Sequence, residues 1–188
     1  MGCSILAEPL MHFVVPFIVF IMLGMKFKKS FFLSLLALTP DFDVLLLNVH
    51  RSISHSLVLL FLLAVPLLGL TWKNRGRRNI VFMALLAVAS HIILDLTSYT
   101  PILYPIIKDS YCIVADLVVH FSSPPNFTFV LKVLSEPTVF TPIKSLDAEL
   151  FTGEGLIIAL VLLAPVFVQN WKNILIDYSK KSIKNQRT

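Results

Sequence analysis

Two short polar segments interrupt an otherwise apolar sequence, and both carry side chains that can bind metal ions. Four of these side chains fall within fifteen residues, namely Asp41, Asp43, His50 and His55. A second pair, His91 and Asp95, lies inside the apolar run from Asn79 to Ser98. Ionisable groups are costly to bury in apolar surroundings, so a cluster of them indicates a functional site. We interpret this cluster as a metal centre.

The spacing of the second pair supports this interpretation. His91 and Asp95 are four residues apart, so on a helix their side chains share one face and could hold one ion. An imidazole and a carboxylate suit zinc, manganese or iron. The alternative is a hydrogen-bonded pair that stabilises the helices. The carboxylates of Asp41 and Asp43 would repel each other unless a cation or a raised pKa reduces the repulsion. The alternative to a metal site is that both aspartates lie in a solvated turn after Pro40.

The predicted ligands, including one histidine of the first apolar run, are His12, Asp41, Asp43, His50, His55, His91 and Asp95. Such a set could hold one to three divalent ions of zinc, manganese or iron, and these ions would activate a water and clamp a phosphoryl oxygen. Arg51 would bind an anionic substrate, and Asp41 or Asp43 could be the general base. Alternatively, Arg51 neutralises one of these aspartates.

Composition predicts an integral membrane protein with one domain over residues 1–188. Of the 188 residues, 56% are hydrophobic and 14% are charged, well below the roughly 25% charged residues of soluble domains. The net charge is +5, and twelve of the sixteen Lys and Arg residues lie in three clusters beside the ends of apolar runs. This distribution is typical of membrane topology and argues against a nucleic-acid partner.

The predicted fold is an all-α, polytopic membrane helical bundle of about five membrane helices, the second of them short. The predicted helices are Pro9 to Met25, Ser30 to Leu38, Leu57 to Trp72, Asn79 to Ser98 and Glu154 to Trp171. Residues 44–49 are expected at the membrane interface, and residues 9–106 contain the metal site. A mixed helical and loop insertion on the outer side, residues 99–152, includes an amphipathic segment from Tyr111 to Phe121. The tail, residues 172–188, is basic.

The basic clusters also predict an orientation. If all three are cytoplasmic, the chain is a multi-pass protein of the cell membrane with its N-terminus outside and its C-terminus inside. The candidate ligands then lie at one depth near the external face, although they come from separate helices. We therefore expect them to form one site.

The order of these motifs resembles the YdjM-like family of membrane-bound, metal-dependent hydrolases. The matching residues are His12, Pro40 to Asp43, His50 to Ser56, Ser90 to Thr97, and Tyr104-Pro105. This family is distantly similar to the zinc-dependent phospholipase C and P1 nuclease group, and this similarity implies zinc rather than manganese or iron. The resemblance implies hydrolysis of a phosphoester, and the membrane setting implies a lipid or lipid-linked substrate. Within the motifs, we expect Arg51, Ser56 and Thr97 to contact that substrate.

Three functions follow from these residues. The leading hypothesis is an enzyme, a metal-dependent hydrolase of phosphoester bonds. The second is a metal-ion or proton transporter, because His and Asp within a membrane also build ion pathways. The third is a non-catalytic membrane protein whose metal is structural. The sequence makes no prediction of the oligomeric state.

Overall fold

The structure, a computed structural model, describes residues 8–44, 49, 51–121, 126–140 and 151–168. The α-helices are α1 (Pro9–Met22), α2 (Phe27–Leu35), α3 (Leu57–Leu70), α4 (Arg75–Leu94) and α5 (Gly153–Val168). Three 3₁₀ segments, Leu36–Phe42, Ile53–His55 and Asp95–Thr97, join them. Two strands, β1 (Asp109–His120) and β2 (Asn126–Pro137), form one antiparallel hairpin.

Helix α1 ends earlier than its apolar sequence suggests, because Gly24 closes it. Gly24 has a φ of 79°, a left-handed conformation that glycine adopts without steric cost. Its N–H donates to the Ile21 carbonyl at 2.9 Å, and the Met25 N–H donates to the Phe20 carbonyl at 3.0 Å. These two bonds form a Schellman cap. The chain then turns into α2, which packs against α1.

Two apolar clusters hold α1, α2, α4 and α5 together. Phe20, Leu33, Ala37 and Ala87 are buried against one another and join α1, α2, the first 3₁₀ segment and α4. A second cluster of Met11, Val14 and Ala159 joins α1 to α5. Helix α1 therefore contacts both parts of the molecule, and it brings His12 to the end of α4.

The prediction of an all-α polytopic bundle with about five membrane helices is wrong. Within the residues that the structure describes, the helical stretch Arg75–Thr97 alone is long and apolar enough to cross a membrane. Helices α1 and α3 have 14 residues each, which gives a rise of about 21 Å, short of the ~30 Å hydrocarbon core. The apolar runs predict full spans, but caps and turns end these helices early.

The insertion also differs from its prediction, because its main element is a β-hairpin. Strands β1 and β2 each have 12 residues and pair along their whole length. The segment Tyr111 to Phe121, predicted to be amphipathic, lies mostly in β1. One face of the hairpin is apolar from base to tip, and its members are Ile113, Ala115, Leu117, Val119, Phe127, Phe129, Leu131 and Val133. Most of these side chains are exposed.

The base of the hairpin is attached directly to the end of α4. Thr100 and Tyr111 exchange two backbone hydrogen bonds, of 2.9 and 3.0 Å. The Thr100 hydroxyl donates to the Asp95 carbonyl at 2.7 Å. The hairpin therefore starts at the polar cluster. The tail from residue 172, His50 and most of the predicted interfacial segment 44–49 lie outside the described residues.

Candidate metal centre

Five predicted ligands meet at one point, and each comes from a different place in the chain. They are His12 of α1, Asp41 of the 3₁₀ segment after α2, His55 of the short 3₁₀ segment before α3, His91 of α4, and Asp95 just after α4. Four of the five are at most 1% exposed, and the Asp41 side chain is 24% exposed. The arrangement is a buried polar cluster with one member that solvent can reach.

Four ligand atoms form the centre of this cluster: His55 Nε2, His91 Nε2, Asp41 Oδ1 and Asp95 Oδ2. The two nitrogens are 3.1 Å apart. Asp95 Oδ2 lies 3.0 Å from His55 Nε2 and 3.3 Å from His91 Nε2, and Asp41 Oδ1 lies 3.6 and 3.4 Å from the same nitrogens. Bonds of about 2.0–2.2 Å at tetrahedral or octahedral angles separate neighbouring ligands by about 2.8–3.6 Å. The measured spacing therefore fits a small divalent ion.

The hydrogen bonding of Asp95 supports the same conclusion. Asp95 Oδ2 is buried and has no hydrogen-bond partner among the described residues, although two imidazole nitrogens lie within 3.3 Å. Buried carboxylate oxygens are normally hydrogen-bonded, and a close approach to nitrogens outside hydrogen-bond geometry is typical of atoms that share a cation. The donor set also fits, because imidazole and carboxylate bind zinc, manganese and iron.

Asp43 lies on the other side of His55 and is not one of the converging groups. Its Oδ2 accepts hydrogen bonds from the Ser52 N–H at 2.8 Å and the Ser54 hydroxyl at 2.9 Å, and it lies 3.3 Å from His55 Nδ1. A carboxylate at Nδ1 favours the tautomer that leaves the Nε2 lone pair for a metal. Asp43 therefore orients His55 toward the cluster.

The charges of the cluster are arranged to stabilise a cation. Burial lowers the pKa of His55, but the carboxylates of Asp41, Asp43 and Asp95 raise it to about 10 overall. Burial raises the pKa of Asp41, but His55 and His91 bring it well below its usual range. Negative charge that favours a proton on a buried imidazole also favours a divalent ion beside it.

His12 extends the cluster past Asp95. Its Nε2 lies 3.4 Å from Asp95 Oδ1, and its ring stacks on that of His91 with centroids 3.8 Å apart. Ligand atoms of His12, Asp41 and His91 lie within 4.8 Å of one another, as do those of His55, His91 and Asp95. Two triads that share His91 offer room for one or two ions.

Arg51 lies beside the cluster in a strained backbone conformation. Its Nη2 is 3.8 Å from Asp95 Oδ1, its Nε is buried without a hydrogen bond among the described residues, and its side chain is 23% exposed. Its φ of 54° is uncommon for a residue with a Cβ, and such strain persists where the surrounding structure enforces it. The guanidinium is therefore held at the edge of the cluster.

Ser56 and Thr97, predicted to contact substrate, serve the backbone instead. The Ser56 hydroxyl caps α3 by accepting from the Val58 N–H at 3.1 Å, and it donates to the Tyr104 carbonyl. The Thr97 hydroxyl donates to the Leu94 carbonyl at 3.1 Å. His50, the remaining predicted ligand, lies outside the described residues.

Two contributing residues were missed by sequence reasoning. Ser54 donates to Asp43 and lies 3.1 Å from His55 Nδ1, and Thr100 binds the Asp95 carbonyl. Ser54 falls inside the segment between His50 and His55, which was a usable signal. Thr100 had none, because its role depends on how the hairpin begins.

Comparison with known proteins identifies the family. The family model described as YdjM inner membrane protein matches residues 8–172. The chain belongs to this family. It is therefore a membrane protein, as composition predicted. The match to the YdjM family includes every residue of the polar cluster. No curated protein and no solved structure matches the chain.

Proposed function

We propose that this protein is a membrane-bound, metal-dependent hydrolase that cleaves phosphoester bonds in a lipid or lipid-linked substrate. The observation that carries the proposal is that His55 Nε2 and His91 Nε2 lie 3.1 Å apart, and that each lies 3.0–3.6 Å from Asp41 Oδ1 and from Asp95 Oδ2. The residues that would hold metal are His12, Asp41, His55, His91 and Asp95. A bound divalent ion would lower the pKa of a coordinated water and polarise a phosphoryl oxygen.

The side chains around the cluster have separate tasks in this proposal. Arg51 would pair with the phosphate and offset the negative charge that builds up during the reaction. With Asp41 Oδ1 as a metal ligand, the second oxygen of this carboxylate is the better candidate for the general base, because the side chain is partly exposed and a base must reach the water that it deprotonates. Asp43 is committed to Ser52, Ser54 and His55, so we assign it to positioning His55.

The setting in the membrane follows from α4. The N-terminal end of this helix carries Arg75, Arg77 and Arg78, and His91 lies near the other end. Basic residues favour the cytoplasmic side. We therefore propose that α4 places its arginines in the cytoplasm and the metal centre near the external face, where it would meet a substrate in the outer leaflet.

Transport is a weaker candidate for the same site. A transported ion would need polar groups along its path. Between Arg78 and His91, α4 has no ionisable side chain. This helix therefore offers the centre no route toward its basic end.

Metal analysis of the purified protein tests the proposal. The wild-type chain in a neutral detergent should retain about one or two equivalents of zinc, manganese or iron by mass spectrometry. The double variant His91→Ala with Asp95→Ala should lose the metal. Asp116→Asn, which changes an exposed aspartate on the hairpin, is the matched control and should retain it. Full retention of metal in the double variant would contradict the ligand assignment.

Turnover needs a separate measurement. The metal-loaded protein should cleave a generic phosphodiester or a phospholipid, and Arg51→Gln should lose at least about tenfold in kcat/KM while keeping its metal, since one transition-state charge contact is lost. Bound metal without turnover on any phosphoester would contradict the hydrolase and leave a structural metal.

A further inference from the structure

A cavity of about 420 Å³ lies between the base of the hairpin and the segment that carries Arg51. Its polar lining comes from five residues, Arg51, Tyr99, Ser110, Glu136 and Thr138, and we call it the hairpin pocket. Its volume is in the lower part of the range of pockets for small ligands, about 300–1,000 Å³. The pocket is therefore large enough for a small polar molecule or the head of a lipid.

The hairpin pocket adjoins the metal centre through one side chain. Arg51 lines the pocket and also approaches Asp95 Oδ1, at 3.8 Å. A phosphate bound by the Arg51 guanidinium would therefore lie at the boundary between the pocket and the cluster. The rest of a ligand held in this way would extend into the pocket, toward the hairpin.

The pocket holds one fixed charge of each sign. Glu136 lies near the end of β2 and pairs with Ser110 across the hairpin. Within the described part of the chain, Glu136 has no ion-pair partner and Arg51 pairs with Asp95 alone. The cation and the anion of the pocket line the same space without neutralising each other. A ligand that carries both charges could satisfy both.

The hydroxyl groups of the pocket do not change the expected preference for a ligand with both charges. Ser110 Oγ and Thr138 Oγ1 lie 2.9 Å apart and hydrogen-bond to each other. Their hydrogen-bonding capacity is therefore partly used, which makes them a weaker signal for a sugar. The Glu136 carboxylate is exposed and has no ion-pair partner among the described residues, so it is available to bind the cation of a ligand.

We infer that the hairpin pocket binds the polar part of a phosphoester that carries a protonated amine, with the phosphate at Arg51 and the amine at Glu136. The inference deepens the proposed function and rests on it for the reaction, since it names the substrate class of the same site. The same chemistry occurs in a zwitterionic lipid headgroup and in a soluble amino-alcohol phosphate.

Calorimetric binding of two probes to the full chain in neutral detergent tests the inference. Phosphoethanolamine carries both charges, and glycerol 1-phosphate carries the phosphate alone. The wild-type protein should bind phosphoethanolamine roughly twofold to fivefold more tightly, as expected of one solvated charge pair. Glu136→Gln should remove this preference, and Asp116→Asn should keep it. Equal affinity of the wild type for the two probes, or a preference that survives Glu136→Gln, would overturn the inference.

Two further measurements are needed. One distinguishes a membrane ligand from a soluble ligand, and the other distinguishes failure of the hydrolase proposal from failure of the pocket inference. If a short-chain phosphatidylethanolamine binds more tightly than phosphoethanolamine, the source of the ligand is the membrane. If the two bind equally, the source is a soluble compound. Both compounds carry the two charges, so either result, with a preference over glycerol 1-phosphate, supports the charge assignment. A preference for the amine in a protein without metal or turnover would refute the hydrolase and retain the pocket. Metal-dependent turnover without any preference for the amine would refute the pocket alone.

Discussion

Two buried carboxylates of this protein have opposite surroundings. Glu8, next to the start of α1, is 6% exposed and accepts hydrogen bonds from the Thr152 N–H, at 3.0 Å, and from the Thr152 hydroxyl. Asp95 is 1% exposed, and cationic or potentially cationic side chains surround its carboxylate, namely His12, Arg51, His55 and His91. One carboxylate is held by neutral donors and the other by possible cations.

The difference separates a structural carboxylate from a ligand. Thr152 immediately precedes α5, so Glu8 is bound at the N-terminus of that helix, where free N–H groups and the helix dipole stabilise negative charge. This contact needs no additional ion. Asp95 keeps one buried oxygen without a hydrogen bond among the described residues. Burial alone therefore does not identify the functional carboxylate, whereas the nature of its neighbours does.

The largest effect should come from Asp95→Asn. An amide cannot balance the imidazoles and the guanidinium around it, and breaking a buried ion cluster on one side costs about 3–5 kcal/mol. We expect a loss of that size in the free energy of unfolding, measured by chemical denaturation in micelles. Asp116→Asn on the exposed hairpin should stay within about 0.5 kcal/mol of wild type. An Asp95→Asn variant as stable as this control would remove the distinction between the two carboxylates.

A metal titration should give the next largest effect, and this effect should depend on Asp95 and not on Glu8. A ligand that binds only the folded state at 100 times its Kd stabilises by about 2.7 kcal/mol. Zinc at that excess should raise the stability of the wild type and of a Glu8→Gln variant by the same amount. It should leave Asp95→Asn unchanged. Equal stabilisation of Asp95→Asn by zinc would mean that the ion binds elsewhere.

The candidate site could be predicted from sequence where local geometry decides it. The four-residue spacing of His91 and Asp95 predicts a shared face, and their ligand atoms are 3.3 Å apart. Asp41 and Asp43 were predicted to act together, but the chain places them on opposite sides of His55. Residues two apart in a 3₁₀ or helical turn point in different directions, a separation that only the backbone conformation reveals.

The fold was harder to predict, because apolar composition says little about element type. The spacing of Asp116 and His120 is compatible with a helix, but residues four apart share a face of a strand as well. The usable signal was a run of Val, Ile and Phe on both sides of Ser122-Ser123-Pro124-Pro125, which is typical of a hairpin. Likewise, Gly24 marked the end of α1. How the hairpin base forms a pocket beside Arg51 depends on tertiary contacts.

The smallest expected effect on stability is that of Gly155→Ala, which tests the contact of the Glu8 carboxylate. A Cβ at Gly155 would lie 2.0 Å from Glu8 Oε2, whereas a Cβ at Gly153 would have no atom within 4 Å. Gly155→Ala should therefore displace Glu8 and cost about 1–2 kcal/mol of stability, since the lost hydrogen bonds outweigh the gain in helix propensity. Gly153→Ala, on the same first turn, should be neutral or slightly stabilising.

The same pair of variants shows whether the two carboxylates are independent. Because the carboxylates of Glu8 and Asp95 share no partner among the described residues, the cost of Gly155→Ala should be the same with and without zinc, and the variant should keep the metal content of the wild type. Glu8→Ala removes the side chain that Gly155→Ala would displace. In the Glu8→Ala background, Gly155→Ala should therefore not lower the free energy of unfolding. A Gly155→Ala protein that loses its metal would show instead that the joint between α1 and α5 holds His12 in place, and that the Glu8 contact supports the metal centre.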